Sequence, residues 1–85
     1  MTFEIFLSRQ ARKFLDRTDK VARSRIVEKF KLLVENPFAL PYKKIKGRDA
    51  TYRIGIGDFR VIYAVRGKEI RILRIDKRER IYDRL

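Results

Sequence analysis

Arg53 and Arg60 are the residues of this chain best placed by spacing to do chemistry. They flank a turn in Tyr52-Arg53-Ile54-Gly55-Ile56-Gly57-Asp58-Phe59-Arg60-Val61-Ile62-Tyr63, a stretch with the alternation of a β-hairpin. A two-residue turn at Gly57-Asp58 pairs Ile56 with Phe59 and Gly55 with Arg60. Tyr52, Ile54, Ile56, Phe59, Val61, Tyr63 and Val65 then share one apolar face, and Arg53 and Arg60 share the other. Two guanidinium groups beside a glycine that presents no side chain make a seat for a phosphate and its sugar. The planar fork of arginine bonds phosphate oxygens in pairs, which a lysine ammonium cannot do. A second basic group follows in Lys77-Arg78-Glu79-Arg80-Ile81-Tyr82, where a phenol joins the arginines.

The composition narrows what such a site can do. Eighty-five residues with 45% hydrophobic content form one domain, residues 1–85, with a single modest core and no room for a cofactor domain. The lack of cysteine excludes a disulfide framework, a thiol nucleophile and a thiolate metal site. The lack of histidine removes the usual general base and the commonest metal ligand, so histidine-dependent nuclease mechanisms are excluded. Neither metal nor cofactor is expected. No apolar run approaches the roughly 20 residues that span a bilayer, and Met-Thr-Phe-Glu-Ile has no signal-peptide character, so a soluble cytoplasmic protein without a membrane partner is expected.

The formal net charge of +12 points to a polyanionic partner. Residues 1–42 carry nine Lys/Arg against five Asp/Glu, and residues 43–85 carry fourteen against six. The excess therefore rises from +4 to +8, which places the expected chemistry in the second half. The competing reading is a basic surface that only solubilises.

The elements that must position these residues are legible in outline. Phe3, Ile5 and Leu7 alternate as a strand, and Ser8 caps a helix that turns Ala11, Phe14 and Leu15 inward over Ser8–Arg17. Asp19 caps a second helix, Lys20 to about Glu35, with the stripe Ala22, Ile26, Val27, Phe30, Leu33 and Val34, and Asn36-Pro37 ends it. Phe38 and Leu40 are expected to tuck under the core. Lys43–Gly47 reads as a short basic strand, and Glu69–Ile75 as the last strand after a turn at Arg66-Gly67-Lys68. Strict alternation puts Ile70 and Ile72 on the apolar face, and Arg71, Leu73 and Ile75 beside Arg53 and Arg60. Ile62, Leu73 and Ile75 then form an apolar outer patch, covered by the C-terminal segment or a partner. The order is β-α-α-β-β-β-β: an α+β fold, with an N-terminal strand and a helical hairpin packed on an antiparallel sheet and a short C-terminal helix.

The helical hairpin, Lys44-Ile45-Lys46-Gly47, the arginine hairpin and Lys77-Arg78-Glu79-Arg80-Ile81-Tyr82 together resemble the RelE toxins of the RelE/ParE superfamily, over essentially the whole chain. The resemblance implies a toxin that enters the ribosomal A site and cuts the bound mRNA codon. It implies as partners a cognate antitoxin, which wraps the toxin and displaces its C-terminal helix, and a 70S-type ribosome with its mRNA and rRNA. The free toxin is expected to be a monomer, because no long apolar seam is left for self-association.

Carried over by residue, Arg53 matches a substrate-contacting position, Arg60 a transition-state-stabilising arginine, Arg78 a second catalytic arginine and Tyr82 the C-terminal tyrosine. Lys46 matches an RNA-backbone anchor, and Lys44, Lys77 and Arg80 are taken with it as RNA-binding. Ile62, Leu73 and Ile75 are taken as antitoxin-binding. The sequence departs from the family in two places. Gly55 stands where many relatives carry a second basic residue, and Lys77 where many carry a histidine.

Metal-free RNA cleavage requires the ribose 2′-OH to attack its own phosphate. On this reading Tyr82 is the base, its phenolate favoured by neighbouring arginines, Arg60 and Arg78 hold the non-bridging oxygens, and Arg53 assists the leaving 5′ oxygen. Each residue also has a plainer role. Arg53 and Arg60 suit the solvated face of a sheet, Tyr82 a packing anchor, and Lys43, Lys44 and Lys46 the protection of an edge strand. Three functions remain open: a ribosome-dependent ribonuclease, a ParE-like gyrase inhibitor without hydrolytic chemistry, and a non-catalytic basic RNA-binding module.

Overall fold

In the computed structural model residues 2–81 are described, so Tyr82 lies outside the described residues. Strand β1, Glu4–Leu7, leads into helix α1, Arg9–Arg17. Ser8 caps α1: its hydroxyl accepts from the Ala11 N–H at 3.1 Å and donates to the Leu73 carbonyl at 2.9 Å. Asp19 caps helix α2, Lys20–Glu35, by accepting from the Ala22 N–H at 2.9 Å. Helix α2 stops before Pro37, which disfavours helical geometry at Asn36.

Four more strands follow: β2 Tyr42–Lys44, β3 Thr51–Ile56, β4 Phe59–Arg66 and β5 Glu69–Lys77, and then the short helix α3, Arg78–Ile81. They join β1 in one sheet of order β1-β5-β4-β3-β2. The β1–β5 pair is parallel, as the long crossover between these strands permits, and the other pairs are antiparallel. One face of the sheet packs on the helices. Ala11, Leu15, Ile26, Phe30 and Leu33 meet Ile54, Val61, Tyr63, Ile70, Ile72 and Ile75 in a single core.

The hairpin register is the one read from the sequence, with Ile56 opposite Phe59 and Gly55 opposite Arg60. Gly57 takes a φ of +58° in the turn, a left-handed conformation in which a Cβ is strained. Three expectations shift. The basic strand is Tyr42–Lys44 rather than Lys43–Gly47, and the last strand runs on to Lys77. Leu40 packs against the core, but Phe38 stays 42% exposed, its ring centroid 5.1 Å from those of both Tyr42, which it meets tilted, and Tyr52, which it meets edge to face, at the sheet edge.

The largest correction concerns β5. Tyr63 pairs with Ile72 and Ile62 with Arg74, so Leu73 is an extra residue, a β-bulge. The bulge reverses the alternation beyond it. Ile75 lies opposite Val61 and is fully buried in the core, not on the outer face that strict alternation assigned to it. Arg74 and Asp76 take the outer face, and Lys77, opposite Phe59, turns to the helix side.

Residues around α1 take up the backbone groups that the end of β1 would leave unpaired. The Ser8 N–H donates to the Ile72 carbonyl at 2.9 Å. The Gln10 side-chain amide then brackets Ile75, donating to its carbonyl at 2.7 Å and accepting from its N–H at 2.9 Å. Gln10→Ala strands two buried backbone groups and is expected to cost about 1–3 kcal/mol in urea denaturation. Arg9→Ala, an exposed neighbour, is expected to change stability by less than about 0.5 kcal/mol.

Tyr63 ties the β2 approach to the core. Its buried hydroxyl donates to the Pro37 carbonyl at 2.6 Å, and its pKa is pushed up to about 12 by burial first and by neighbouring Tyr42 and Tyr52 second. The folded-state pKa is above the free value of about 10, so the stability contributed by the protonated phenol is present below pH 10. It is lost as pH rises toward about 12. Tyr63→Phe is expected to cost about 1–2 kcal/mol at neutral pH. The wild-type advantage over Tyr63→Phe should shrink between about pH 10 and about 12 in paired thermal melts, whereas an advantage constant across that window would contradict the linkage.

Candidate anion-binding site

On the sheet face away from the helices, β3 and β4 carry Arg53 and Arg60, β2 carries Lys43 opposite Arg53, and α3 begins at Arg78. These four cations, with Gly55, Pro41 and Tyr42, line one concavity of about 380 Å³, with no carboxylate among the described residues that line it. The Arg78 N–H donates to the Asp58 carbonyl at 2.8 Å, which fixes the start of α3 against the hairpin turn.

Arg60 is held in place by backbone. Its Nη1 donates to the carbonyls of Gly57 and Phe59 at 2.9 and 2.8 Å, and no ion pair neutralises it among the described residues. The guanidinium lies over Gly55. A Cβ at position 55 would stand 3.0 Å from Arg60 Nη1 and 3.1 Å from Cζ, so glycine provides the room that Arg60 occupies. The neighbouring acid is already engaged. Asp76 lies opposite Arg60 in register, and its oxygens accept from Arg74 at 3.1 Å and from the Lys77 N–H at 2.8 Å.

A cluster of partly exposed cations without carboxylates binds anions bearing several oxygens, and the guanidinium groups suit a phosphodiester. The sequence matches the model of the ParE toxin of the type II toxin–antitoxin system, parDE, over residues 5–82. The chain belongs to this family. The toxin resembles the crystal structure of the archaeal RelE–RelB complex from Pyrococcus horikoshii, with 31% identity over 94% of this chain and 99% of that one and a TM-score of 0.82. It is also similar to the RelB–RelE antitoxin–toxin complex from Methanococcus jannaschii, at 28% identity over 94% and 98% of the two chains with a TM-score of 0.75. The chromosomal ParDE system from P. aeruginosa shares the fold, at 23% identity over 89% and 96% of the chains with a TM-score of 0.71. No curated protein sequence matches significantly. The toxin is thus a member of the RelE/ParE superfamily, whose RelE-named and ParE-named structures share this fold.

The structure brings Arg53, Arg60 and Arg78 of the expected residues into one concavity and separates the others from it. Lys44 and Lys46 line another hollow, about 420 Å³, at the β2–β3 connection. Lys77 and Arg80 face a groove beside α1, Lys77 because the bulge turned it there. Ile62 is buried, in line with the expected cover of the outer patch by the C-terminal segment: α3 packs on β4 and β5, and Ile62 on that outer face and Ile81 of α3 are both shielded from solvent. Leu73, at the bulge, is half-buried, and Ile75 is part of the core. Lys43 was not foreseen as a site residue, because a three-residue strand is too short for its alternation to assign a face.

In the toxin, Gly55→Ala is expected to fold normally, within about 0.5 kcal/mol of wild type, because the clashing atoms belong to the far end of a flexible side chain. It should displace the Arg60 guanidinium and loosen its two carbonyl bonds. Thermal melts and the Arg60 Nε–H resonance check both halves, and an unshifted resonance would contradict the packing of Arg60 over Gly55.

Proposed function

We propose that this type II toxin is a ribosome-dependent endoribonuclease that cuts mRNA in A-site codons, acting in the cytoplasm and restrained by a cognate antitoxin. The observation that carries the reading is the concavity lined by Arg53, Arg60, Arg78, Lys43 and Gly55, with no carboxylate among the described residues that line it.

The 2′-oxygen attacks the adjacent phosphorus and the bond to the 5′ oxygen breaks, leaving a 2′,3′-cyclic phosphate and a 5′-hydroxyl. Negative charge grows on the two non-bridging oxygens and then on the leaving oxygen. Arg60, pre-set by its carbonyl bonds, and Arg78 hold the non-bridging oxygens, while Arg53 stabilises the leaving one. Tyr82, as the phenolate, takes the 2′ proton, and water supplies the proton that the leaving 5′ oxygen takes up; the role of Tyr82 rests on the resemblance of Lys77-Arg78-Glu79-Arg80-Ile81-Tyr82 to the family. The ribosome contributes by holding the mRNA in line for attack.

A second reading has its own support in the ParE description of the matched family: the same basic surface binds a protein target, gyrase, without hydrolysis. Primer extension on mRNA in a reconstituted translation reaction separates the two. Ribosome-dependent cuts in A-site codons are expected, lost in Arg60→Ala and slowed roughly 10²–10⁴-fold in Tyr82→Phe with ribosome binding retained. Intact mRNA on active ribosomes, together with loss of supercoiling by purified gyrase, would overturn the ribonuclease reading in favour of the second.

A further inference from the structure

A second concavity, larger than the arginine site, lies on the other side of the sheet end. It is a groove of about 580 Å³ between α1 and the end of the sheet where β4 begins and β5 ends. Its floor carries Phe14 and Phe59, both half-buried, packed edge to face with centroids 5.6 Å apart. Around it stand Lys13 and Arg17 from α1, Lys77 from β5 and Arg80 from α3. None of these four side chains forms a hydrogen bond or ion pair among the described residues.

The two carboxylates that also line the groove already have partners. Asp19 caps α2, and Asp76 accepts from Arg74 and the Lys77 N–H. The groove is therefore a cationic cleft with an aromatic floor, and its volume falls in the range of small-ligand sites. Aromatic rings that stack bases beside cations that track phosphates form the arrangement used to bind single-stranded nucleic acid.

The groove adjoins the arginine site at the sheet end through consecutive residues of the chain. Phe59 and Arg60 are consecutive and alternate faces, and Lys77 and Arg78 are consecutive at the junction of β5 and α3. Phe59 and Lys77 line the groove, while Arg60 and Arg78 line the arginine concavity. A chain leaving one enters the other by crossing a single strand end.

We propose that this groove is an extended RNA subsite, taking a nucleotide that flanks the phosphate held at the arginine concavity, with its base against Phe14 and Phe59 and its phosphate on Lys13, Arg17, Lys77 and Arg80. The proposal rests on the RNA reading of the arginine site. It assigns to α1, through Lys13 and Arg17, a direct part in holding RNA.

The test is fluorescence anisotropy with a 2′-O-methyl RNA hexamer, which cannot be cleaved, over a salt series. Lys13→Ala/Arg17→Ala changes two exposed residues of α1 and is expected to weaken hexamer binding roughly tenfold at 0.1 M salt, with the log–log salt slope reduced by about 1.4. The same variant should bind a dinucleotide, which fills only the arginine concavity, as wild type does. Phe14→Leu keeps the floor apolar, and is expected to weaken the hexamer but not a hexamer made abasic at the flanking nucleotide.

If the hexamer binds wild type in an Arg60-dependent way and the α1 double variant changes neither affinity nor slope, the groove is not an RNA subsite while the arginine-site reading stands. If wild type binds no hexamer, the groove proposal falls, and the arginine-site reading is decided separately by the primer extension on ribosomes. If the double variant loses affinity for an acidic antitoxin peptide and keeps full affinity for the hexamer, the groove is a protein-docking site and the proposal is overturned.

Discussion

The bulge at Leu73 is the constraint on which the rest of the site depends. Without the extra residue, strict alternation would send Ile75 out of the core, put Lys77 beside Arg60, and draw Asp76 to the helix side. With it, Ile75 closes the core and the chain reaches the outer face in phase to begin α3 at Arg78. A bulge is held only if its backbone groups are paired elsewhere, and this one is held by Ser8 and Gln10 where β1 has ended. The first turn of α1 thereby sets where the last arginines of the chain fall, although they lie far from it in sequence.

Electrostatics then give the molecule its character. The ion pairs among the described residues engage Glu28, Glu69 and Asp76, and none of them reaches the arginine concavity. Gathering Lys43, Arg53, Arg60 and Arg78 in one concavity sets like charges side by side, and an anion bound there relieves their repulsion. The strain is partly taken up by backbone carbonyls, which hold the Arg60 guanidinium over Gly55 without neutralising its charge. A cation positioned before its anion arrives needs little reorganisation when charge develops.

Membership of the RelE/ParE superfamily fixes the scaffold and leaves the reaction to side chains, because one fold serves toxins of both names. Gly55 illustrates the point. At Gly55 the chain leaves a gap, and Arg60 from the neighbouring strand fills it.

Both helix caps, the stop at Asn36-Pro37 and the hairpin register around Gly57-Asp58 were legible in the sequence, since each is decided by residues within a turn or two of one another. That register also sufficed to put Arg53 and Arg60 on one face. The sequence alone did not reveal the bulge, which depends on hydrogen bonds from Ser8 and Gln10 some 65 positions away. Ile75, Lys77 and Asp76 were consequently assigned to the wrong faces or to none, because an alternation rule propagates one slipped residue to everything beyond it. The burial of Ile62, the parallel pairing of β1 with β5 and the place of Lys43 opposite Arg53 were likewise settled only by tertiary structure. Local hydrogen bonding and periodicity can be read from neighbouring residues, whereas pairing between distant segments is chosen by which arrangement closes the core with its backbone groups satisfied.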